Sequence, residues 1–314
     1  MKKLKFVIYS PPLKSGGSYV LHQLCELLEK SGCKSSMFII PTIDTSSYSH
    51  FLKVWMKKTI PFMVKRSICR LINRVNKSVF QENLKFQRYI SEPIKCRYHL
   101  CPVVSKNTIV VYPEVTDGNP LNAQKVVRWL LHKPGFHTGR INYSKKDLFF
   151  AFSDFFNSIE YNQEAKILRI SFFDENIYCQ RNFEEREGTC YIIRKGKYRS
   201  DLPEVFDGPI LDDYTEIEMG KAFNRYKYCI SYDLATFYST AASFCGCISI
   251  VVPESEPIQP VIKNRRGVAY GNAPAEIERA VSTRITSNQY KYEITEQNKI
   301  SVDFFISECI NRWA

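Results

Sequence analysis

A cationic turn follows one predicted strand in the second half of the chain. Arg194, Lys195 and Lys197 surround Gly196 and come directly after the strand-like run at 189–193. Three cations around a glycine at a strand end can surround a diphosphate with charge-assisted hydrogen bonds. A solvated surface turn would carry the same residues. The position directly after a strand favours the diphosphate site.

Two strand-to-helix junctions could also receive an anion. Gly16 and Gly17 open one predicted helix, and Tyr232, Asp233 and Thr236 precede another. Free backbone amides at a helix N-terminus, together with the helix dipole, favour a negatively charged group. Glycine in any tight turn, and Asp or Thr as an ordinary helix cap, would look the same. Because the complete G-x-G-x-x-G motif is absent, the pattern disfavours a dehydrogenase.

Three side chains in loops of the first half could accept a proton. Glu114 and Asp117 follow the predicted strand at 108–112, and His137 follows a Pro-Gly turn. A reaction in which a hydroxyl group attacks an electrophile needs a base within reach of that hydroxyl. Each residue also has a structural explanation, since the acids lie in a proline-bounded loop and the histidine follows a turn. We expect one of the three to be the base.

Alternating strands and helices must position these loops. Apolar runs predict strands at 5–9, 36–40, 108–112, 148–152 and 167–171, with helices at 19–30 and 123–131. After a polar linker at 182–188 the pattern predicts strands at 189–193, 228–232 and 248–252 and helices at 215–223, 236–244 and 302–313. This order predicts two Rossmann-like α/β domains, whose ligands bind at the carboxyl ends of parallel strands.

The positive charge of the chain is concentrated in one segment. The net charge of the 314 residues is +12, and residues 51–80 carry eight cations and no acid. From residue 61 onward an apolar stripe lies opposite a cationic stripe, an arrangement that suits an anionic bilayer surface. The cationic stripe consists of Arg66, Arg70, Arg74 and Lys77. A surface helix with a solvated basic face is the alternative, and the clustering argues against nucleic acid.

Cysteine usage and the lack of long apolar runs indicate the compartment. The eleven cysteines are an odd number scattered through predicted strands and helices, which favours reduced thiols over a disulfide framework. Two close cysteine pairs lack further ligands at zinc-finger spacing, so we expect no metal. No window reaches the ~20 apolar residues of a membrane span, and the run at 6–9 is too short for a signal peptide. We expect a cytoplasmic protein.

Three segments resemble bacterial capsule, O-antigen and lipopolysaccharide glycosyltransferases with the GT-B fold. They are YPEVTDGNPLNAQKVVRWLLHKPG at 112–135, CYIIRKGK at 190–197 and YCISYDLATFYSTAASFCGCISIVVPES at 228–255. The resemblance implies two Rossmann-like domains facing across a cleft. Residues 1–181 with the final helix at 302–314 would bind the acceptor, and residues 182–301 would bind a nucleotide sugar. It implies transfer to a growing, lipid-linked cell-surface polysaccharide at the inner face of a membrane.

The resemblance also implies residue roles. Arg194 and Lys195 would face the diphosphate of the donor. The full set assigned to donor binding is Gly16, Gly17, Arg194, Lys195, Tyr232, Asp233 and Thr236. Many retaining members carry two glutamates separated by seven residues, but here Ala241 stands eight residues after Asp233, which leaves the stereochemistry open. A D-x-D metal motif is also absent, so transfer without a metal or other cofactor is expected.

Two other functions fit the same residues. A sugar-nucleotide epimerase of the same fold would share the diphosphate site but would not need a membrane-facing helix. A non-enzymatic protein that binds nucleic acid or a membrane surface predicts basic residues interleaved with exposed aromatic residues. We expect three partners, namely a nucleotide-sugar donor, a glycan or lipid-linked glycan acceptor and an anionic membrane surface, and no nucleic acid.

Overall fold

The chain forms two compact units. The computed structural model describes residues 4–11, 15–39, 48–60, 64, 96–99, 101–234, 236–254 and 264–313. One unit comprises Met1–Phe172 and Ile294–Ala314, and the other comprises Phe173–Glu293. The sequence placed the boundary at 181, but Phe173 and Tyr178 pack within the second unit, 5.3 Å from the ring of Phe244 and 6.3 Å from that of Phe223. The binding roles assigned to the two domains stay predictions.

The first unit is built on a five-stranded parallel sheet. Its strands are β1 (Lys5–Ser10), β2 (Lys34–Ile39), β3 (Thr108–Pro113), β4 (Lys125–Leu130) and β5 (Leu148–Ala151), in the order β2-β1-β3-β4-β5. Nearly every side chain of β1, β3 and β4 is buried, as expected for parallel strands covered on both faces. The direction of winding reverses between β1 and β3, which is a switch point where such sheets bind ligands.

Helices cover both faces of this sheet. Helix α1 (Gly16–Lys30) and the carboxyl-terminal helix α6 (Ser287–Trp313) contribute Leu24 and Phe305 to the core on one face. Helix α2 (Tyr48–Val54), which continues into a π-helical turn (Trp55–Thr59), contributes Phe51 to the core on the other. The final helix begins well before the predicted start at residue 302. The predicted basic helix, with Arg66, Arg70, Arg74 and Lys77, lies outside the described residues.

The second unit contains a four-stranded parallel sheet whose strands lie side by side in the order in which they occur along the chain. Its strands are β6 (Thr189–Ile192), β7 (Tyr228–Ser231), β8 (Ile248–Val251) and β9 (Val268–Tyr270). Its helices are α3 (Glu216–Arg225), α4 (Phe237–Phe244) and α5 (Pro274–Ser282). Helix α3 begins with a capping box between Thr215 and Glu218. Both units are Rossmann-like α/β folds with parallel sheets, which confirms the predicted fold class.

Strand β4 corrects one prediction. The sequence predicts a helix at 123–131. Instead, residues 125–130 form an inner strand whose β-branched Val126 and Val127 and aromatic Trp129 are buried in the cores on its two faces. The predicted strand at 167–171 is also wrong, since it is reduced to a single bridge between Ile167 and Ala151.

Arg128 of β4 is buried and holds the loop that follows β3. The guanidinium of Arg128 donates hydrogen bonds to the carbonyls of Thr116 (2.5 Å) and Gly118 (2.8 Å) and to the carboxylate of Asp147 (3.0 Å). A buried charge is tolerated only when it is paired and hydrogen-bonded. The pairing therefore explains why an arginine occupies an inner strand, and it fixes the loop that follows β3.

Candidate functional site

The cationic turn follows β6 as a short 3₁₀ helix, Arg194–Tyr198. The carboxylate of Asp212 fixes its entry by accepting hydrogen bonds from the amides of residues 193 (3.0 Å) and 194 (2.6 Å). Arg194 has a φ of 42°, a left-handed conformation that costs a non-glycine residue roughly 1–2 kcal/mol. With the backbone held in this way, the side chains of Arg194, Lys195 and Lys197 are exposed at the carboxyl end of the strand.

Gly196 joins the turn to the loop that follows β7. It is buried, and a Cβ atom at this position would lie 2.4 Å from the carbonyl oxygen of Tyr232. Only glycine permits so close an approach of two backbone segments. The cationic turn and the beginning of the loop after β7 therefore lie side by side at the carboxyl edge of the second sheet, which is the edge where parallel α/β sheets bind ligands.

The loop after β7 leads directly into helix α4. Thr236 is the N-cap, since its hydroxyl accepts a hydrogen bond from the amide of Tyr238 (3.3 Å). The guanidinium of Arg265 donates hydrogen bonds to the carbonyls of Leu234 (2.8 Å) and Thr236 (2.9 Å), which stabilises the conformation of this loop. Asp233 is buried in this loop. Thr236 therefore caps the helix, which is the structural explanation given above for this residue. The start of α4 lies beside the cationic turn.

Arg199 is a second brace that the sequence did not indicate. Its guanidinium donates to the carbonyls of Tyr232 (3.3 Å), Val252 (3.0 Å) and Pro253 (2.8 Å), and it pairs with Asp201 (2.6 Å). It thereby ties together the loops after β7 and β8. In the sequence it is one more cation near the turn, and only the structure separates its buried side chain from the exposed ones.

Arg194 lies over an aromatic ring rather than against an acid. Its guanidinium carbon is 4.9 Å from the ring centre of Tyr238, a favourable cation–π distance. The hydroxyl of Tyr238 donates to the carboxylate of Glu216 (2.7 Å), and the hydroxyl of Tyr178 donates to the same carboxylate. Burial, reinforced by Glu216, raises the pKa of Tyr238 above its usual range. The carboxylate is thus engaged by two tyrosines beside the exposed cations.

The glycines at the start of α1 lie in the first unit. Ser15 caps the helix by accepting a hydrogen bond from the amide of Ser18 (3.2 Å). Neither Gly16 nor Gly17 has a left-handed φ, and a Cβ atom on Gly17 would lie 3.5 Å from Leu131, an ordinary contact. The other residues assigned to donor binding belong to the second unit. The structure therefore does not bring the whole predicted set together within one unit.

Glu114 is a buried acid at the end of β3. It is only 5% exposed, its carboxylate accepts a hydrogen bond from the amide of Leu131 (3.0 Å), and its carbonyl accepts one from the hydroxyl of Tyr143 (2.6 Å). Burial raises its pKa to about 7, although hydrogen bonds from nearby backbone amides oppose the rise. A carboxyl group that titrates near neutral pH is suited to general base catalysis.

Asp117 lies in the same loop and is also buried. One of its carboxylate oxygens lies 3.7 Å from the guanidinium of Arg140. The other oxygen, and the hydroxyl of Thr116, have no hydrogen-bond partner among the residues that the structure describes. Buried polar atoms are usually hydrogen-bonded, and the exceptions often mark positions that a ligand or water satisfies. The loop after β3 thus carries two buried acids. Glu114 has a raised pKa, and Asp117 has a carboxylate oxygen without a described partner.

His137 is exposed beside a histidine that the sequence did not single out. Its ring centre lies 4.8 Å from that of His132 and 5.0 Å from that of Phe136. His132 follows Leu131, whose amide contacts Glu114, so it lies at the carboxyl edge of the first sheet. A strand ending at residue 130 would have placed His132 at this edge. The incorrect helix at 123–131 concealed it.

The described ranges lack both a metal-ligand cluster and a membrane-spanning helix. Within them, no group of three or more histidine, cysteine, aspartate or glutamate side chains has the geometry to hold a metal ion. None of the helices in these ranges is both long enough and apolar enough to cross a membrane. The expected absence of a metal stays a prediction.

Comparisons with known proteins give only distant matches. No family model matches the chain, and no curated protein matches its sequence. The chain is similar to a crystal structure of a glycosyltransferase from Rickettsia africae ESF-5, with a TM-score of 0.38, 11% identity and coverage of 100% of this chain and 95% of that one. It is also similar to MurG from Acinetobacter baumannii, with a TM-score of 0.35, 11% identity and coverage of 93% and 98%. These scores are too low to carry an assignment, which rests on the chain's own sheets and residues.

Because Gly196 lies so close to the backbone of Tyr232, adding one methyl group at this position should strongly lower the stability of the protein. Gly196→Ala should lower the free energy of unfolding by about 2–3 kcal/mol, because the new side chain must displace the backbone of Tyr232. Gly16→Ala is the matched control, since nothing lies within 4 Å of its Cβ position, and it should leave stability nearly unchanged. Urea denaturation measures both. Equal stability of the two variants would contradict the contact.

Burial of Glu114 predicts a specific pH dependence of stability. Its folded pKa is raised from 4.5 to about 7, so the folded state holds a proton that the unfolded state has lost. Its contribution to stability is therefore full below about pH 4.5 and is lost as the pH rises towards 7. Glu114→Gln removes this titration. Relative to the variant, the wild type should lose up to about 3 kcal/mol between pH 5 and pH 8.

Urea denaturation at several pH values checks this expectation. Glu185→Gln, at an exposed position in the second unit, is the control. A constant difference between wild type and Glu114→Gln across this pH range would show that the carboxyl group is ionised throughout, and the raised pKa would be wrong.

Proposed function

We propose that the chain is a GT-B glycosyltransferase that moves a sugar from a nucleotide-sugar donor to a glycan acceptor. The observation that carries this proposal is the packing of the cationic turn at 194–197 against the loop at 232–236. Exposed cations and a helix N-terminus meet there, at the edge of a parallel sheet where ligands bind. The sequence resemblance to polysaccharide glycosyltransferases supports the same conclusion.

The second unit would bind the donor and stabilise the leaving group. As the bond between the anomeric carbon and the β-phosphate oxygen breaks, its electron pair leaves with the nucleoside diphosphate. Arg194 and Lys195 would donate hydrogen bonds to the departing oxygens, and the free amides at the start of α4 would face the same charge. Donors fixed before the reaction are effective because they need no reorganisation as the charge develops. Arg199 and Arg265 would keep this arrangement rigid.

The first unit would supply the acceptor site and the base. In an inverting route the acceptor hydroxyl oxygen attacks the anomeric carbon, and its proton passes to a carboxylate. Glu114 is the candidate that we favour over Asp117 and His137, because burial brings its pKa to about 7. A base whose pKa lies near the working pH combines a useful ionised fraction with adequate basicity. No metal or other cofactor is needed for these steps.

The finer assignments rest on the sequence. The resemblance supports a lipid-linked cell-surface polysaccharide as acceptor, and reduced cysteines support the cytoplasm. The cationic stripe of Arg66, Arg70, Arg74 and Lys77 supports peripheral attachment at the inner face of an anionic membrane. These residues lie outside the described ranges, so this part of the proposal depends on their periodicity alone.

Binding of nucleotide sugars tests the donor site. With a panel of UDP-, GDP- and CMP-sugars, we expect one of the two diphosphate classes, the UDP- or the GDP-sugars, to raise the melting temperature of the protein. Lys195→Ala and Arg194→Ala should each weaken that binding about tenfold or more, because each removes a charge-assisted hydrogen bond to the diphosphate. Lys221→Ala, at an exposed position on α3, is the matched control and should bind normally.

The outcomes distinguish the competing functions. Unchanged affinity in both turn variants would remove the diphosphate role of the turn. Conversion of the bound nucleotide sugar to its epimer, without any transfer to acceptors, would identify an epimerase instead. Binding of nucleic acid in the absence of any nucleotide-sugar binding would contradict the enzyme altogether.

A further inference from the structure

A group of exposed and half-buried aromatic rings lies at the carboxyl edge of the first sheet. We call it the aromatic array, and it comprises His132, Phe136, His137, Phe155 and Phe156. The ring centre of His132 lies 4.2 Å from that of Phe136 and 4.8 Å from that of Phe156. Phe155 and Phe156 are 5.2 Å apart. The rings thus form one continuous surface centred on His132.

Two phenylalanine side chains of the aromatic array are unusually exposed to solvent. Phe136 is 68% exposed and Phe155 is 50% exposed, although other phenylalanines of the same unit, such as Phe6 and Phe150, are fully buried. Adjacent exposed aromatic rings are typical of a binding surface rather than of ordinary protein exterior. Lys133 adds a cation, with its ammonium nitrogen 4.6 Å from the ring centre of Phe155.

The backbone presents these rings in a defined position. The array occupies the segments that follow β4 and β5. Within the first segment Gly135 has a left-handed φ of 76°, and a Cβ atom there would lie 3.1 Å from Ile141. Glycine is therefore required at this turn, which projects Phe136 and His137 from the sheet edge. Asp154–Phe156 forms a short 3₁₀ helix that places the other two phenylalanines.

The polar groups beside the array indicate what it binds. The amide of Leu131, adjacent to His132, donates to the carboxylate of Glu114, so the array adjoins the candidate base. Asp117 lies in the same loop as Glu114 and has a buried oxygen without a described partner. Imidazole and carboxylate groups hydrogen-bond to hydroxyls, whereas buried acids disfavour a phosphate backbone. A ligand with apolar faces and a rim of hydroxyl groups matches this combination.

We propose that the aromatic array binds the acceptor saccharide by stacking sugar rings on its two exposed phenylalanines, Phe136 and Phe155, near Glu114. A pyranose presents C–H groups on its faces, and the negative face of an aromatic ring attracts them. The surrounding hydroxyl groups can then reach the polar side chains at the sheet edge. The inference rests on the proposed function, since it identifies the acceptor site as a saccharide site and names the residues that hold the sugar.

Saturation-transfer NMR tests the inference with simple probes. The probes are the methyl glycosides of glucose, galactose, N-acetylglucosamine and rhamnose. At least one should receive saturation on its ring C–H protons from the wild-type protein. Phe136→Ala should reduce this signal about tenfold, and the double variant with Phe155→Ala should abolish it. Phe136→Tyr keeps an aromatic face and should retain the signal.

The matched control is Ile159→Ala. Ile159 is 78% exposed and lies close in sequence to the array, but it carries no ring. It should leave the saturation transfer unchanged. If no glycoside receives saturation, or if Phe136→Ala and Ile159→Ala behave alike, the array is not a saccharide site. Binding of geranyl phosphate or oligothymidylate in place of every glycoside would likewise overturn the inference.

Nucleotide-sugar binding, measured on the same samples, separates the two proposals. If a nucleotide sugar binds and depends on Lys195 but no glycoside binds at Phe136, the inference about the array fails and the proposed donor site stands. If a glycoside binds at Phe136 but no nucleotide sugar binds, the proposed transfer fails and the array remains a saccharide site.

Discussion

The packing of Gly196 against the carbonyl of Tyr232 sets the geometry of the second sheet's carboxyl edge. At this point two backbone segments come closer than any side chain permits. The carboxylate of Asp212 holds the entry of the cationic turn on one side, and Arg199 holds Tyr232 on the other. The exposed cations therefore project from a rigid turn. Their position relative to the start of α4 follows from backbone contacts rather than from flexible side chains.

The cations at this edge fall into two groups with different tasks. Arg199 and Arg265 direct their N–H groups to backbone carbonyls and join neighbouring loops. The planar guanidinium, with several fixed donors, suits that bracing role. Arg194 and Lys195 instead keep their charges towards solvent. The first sheet's edge is different in character, since it buries acids and exposes aromatic rings. The proposed diphosphate site belongs to the former surface, and the proposed acceptor site belongs to the latter.

The sequence predicted the elements that depend on local residue pattern. It failed where a charged side chain that would be expected at the surface is instead buried by tertiary contacts. The alternation of short apolar runs located three strands of the second sheet but not β9, and the cap at Thr236 marked the start of α4. The segment at 123–131 was predicted as a helix, but it contains an inner strand in which Arg128 is buried and hydrogen-bonded to Asp147 and two carbonyls. That error concealed His132. Arg199 could not be distinguished, since only tertiary contacts separate a bracing cation from an exposed one.

Hydrogen–deuterium exchange with and without the nucleotide sugar that binds tests the central claim most directly. The account predicts slower amide exchange at 193–199 and at 232–238 on binding, because the diphosphate would contact both segments at once. It predicts a smaller change, or none, in β8 and β9. Protection confined to other parts of the chain, or exchange that is identical with and without the nucleotide sugar, would contradict a donor site at this sheet edge.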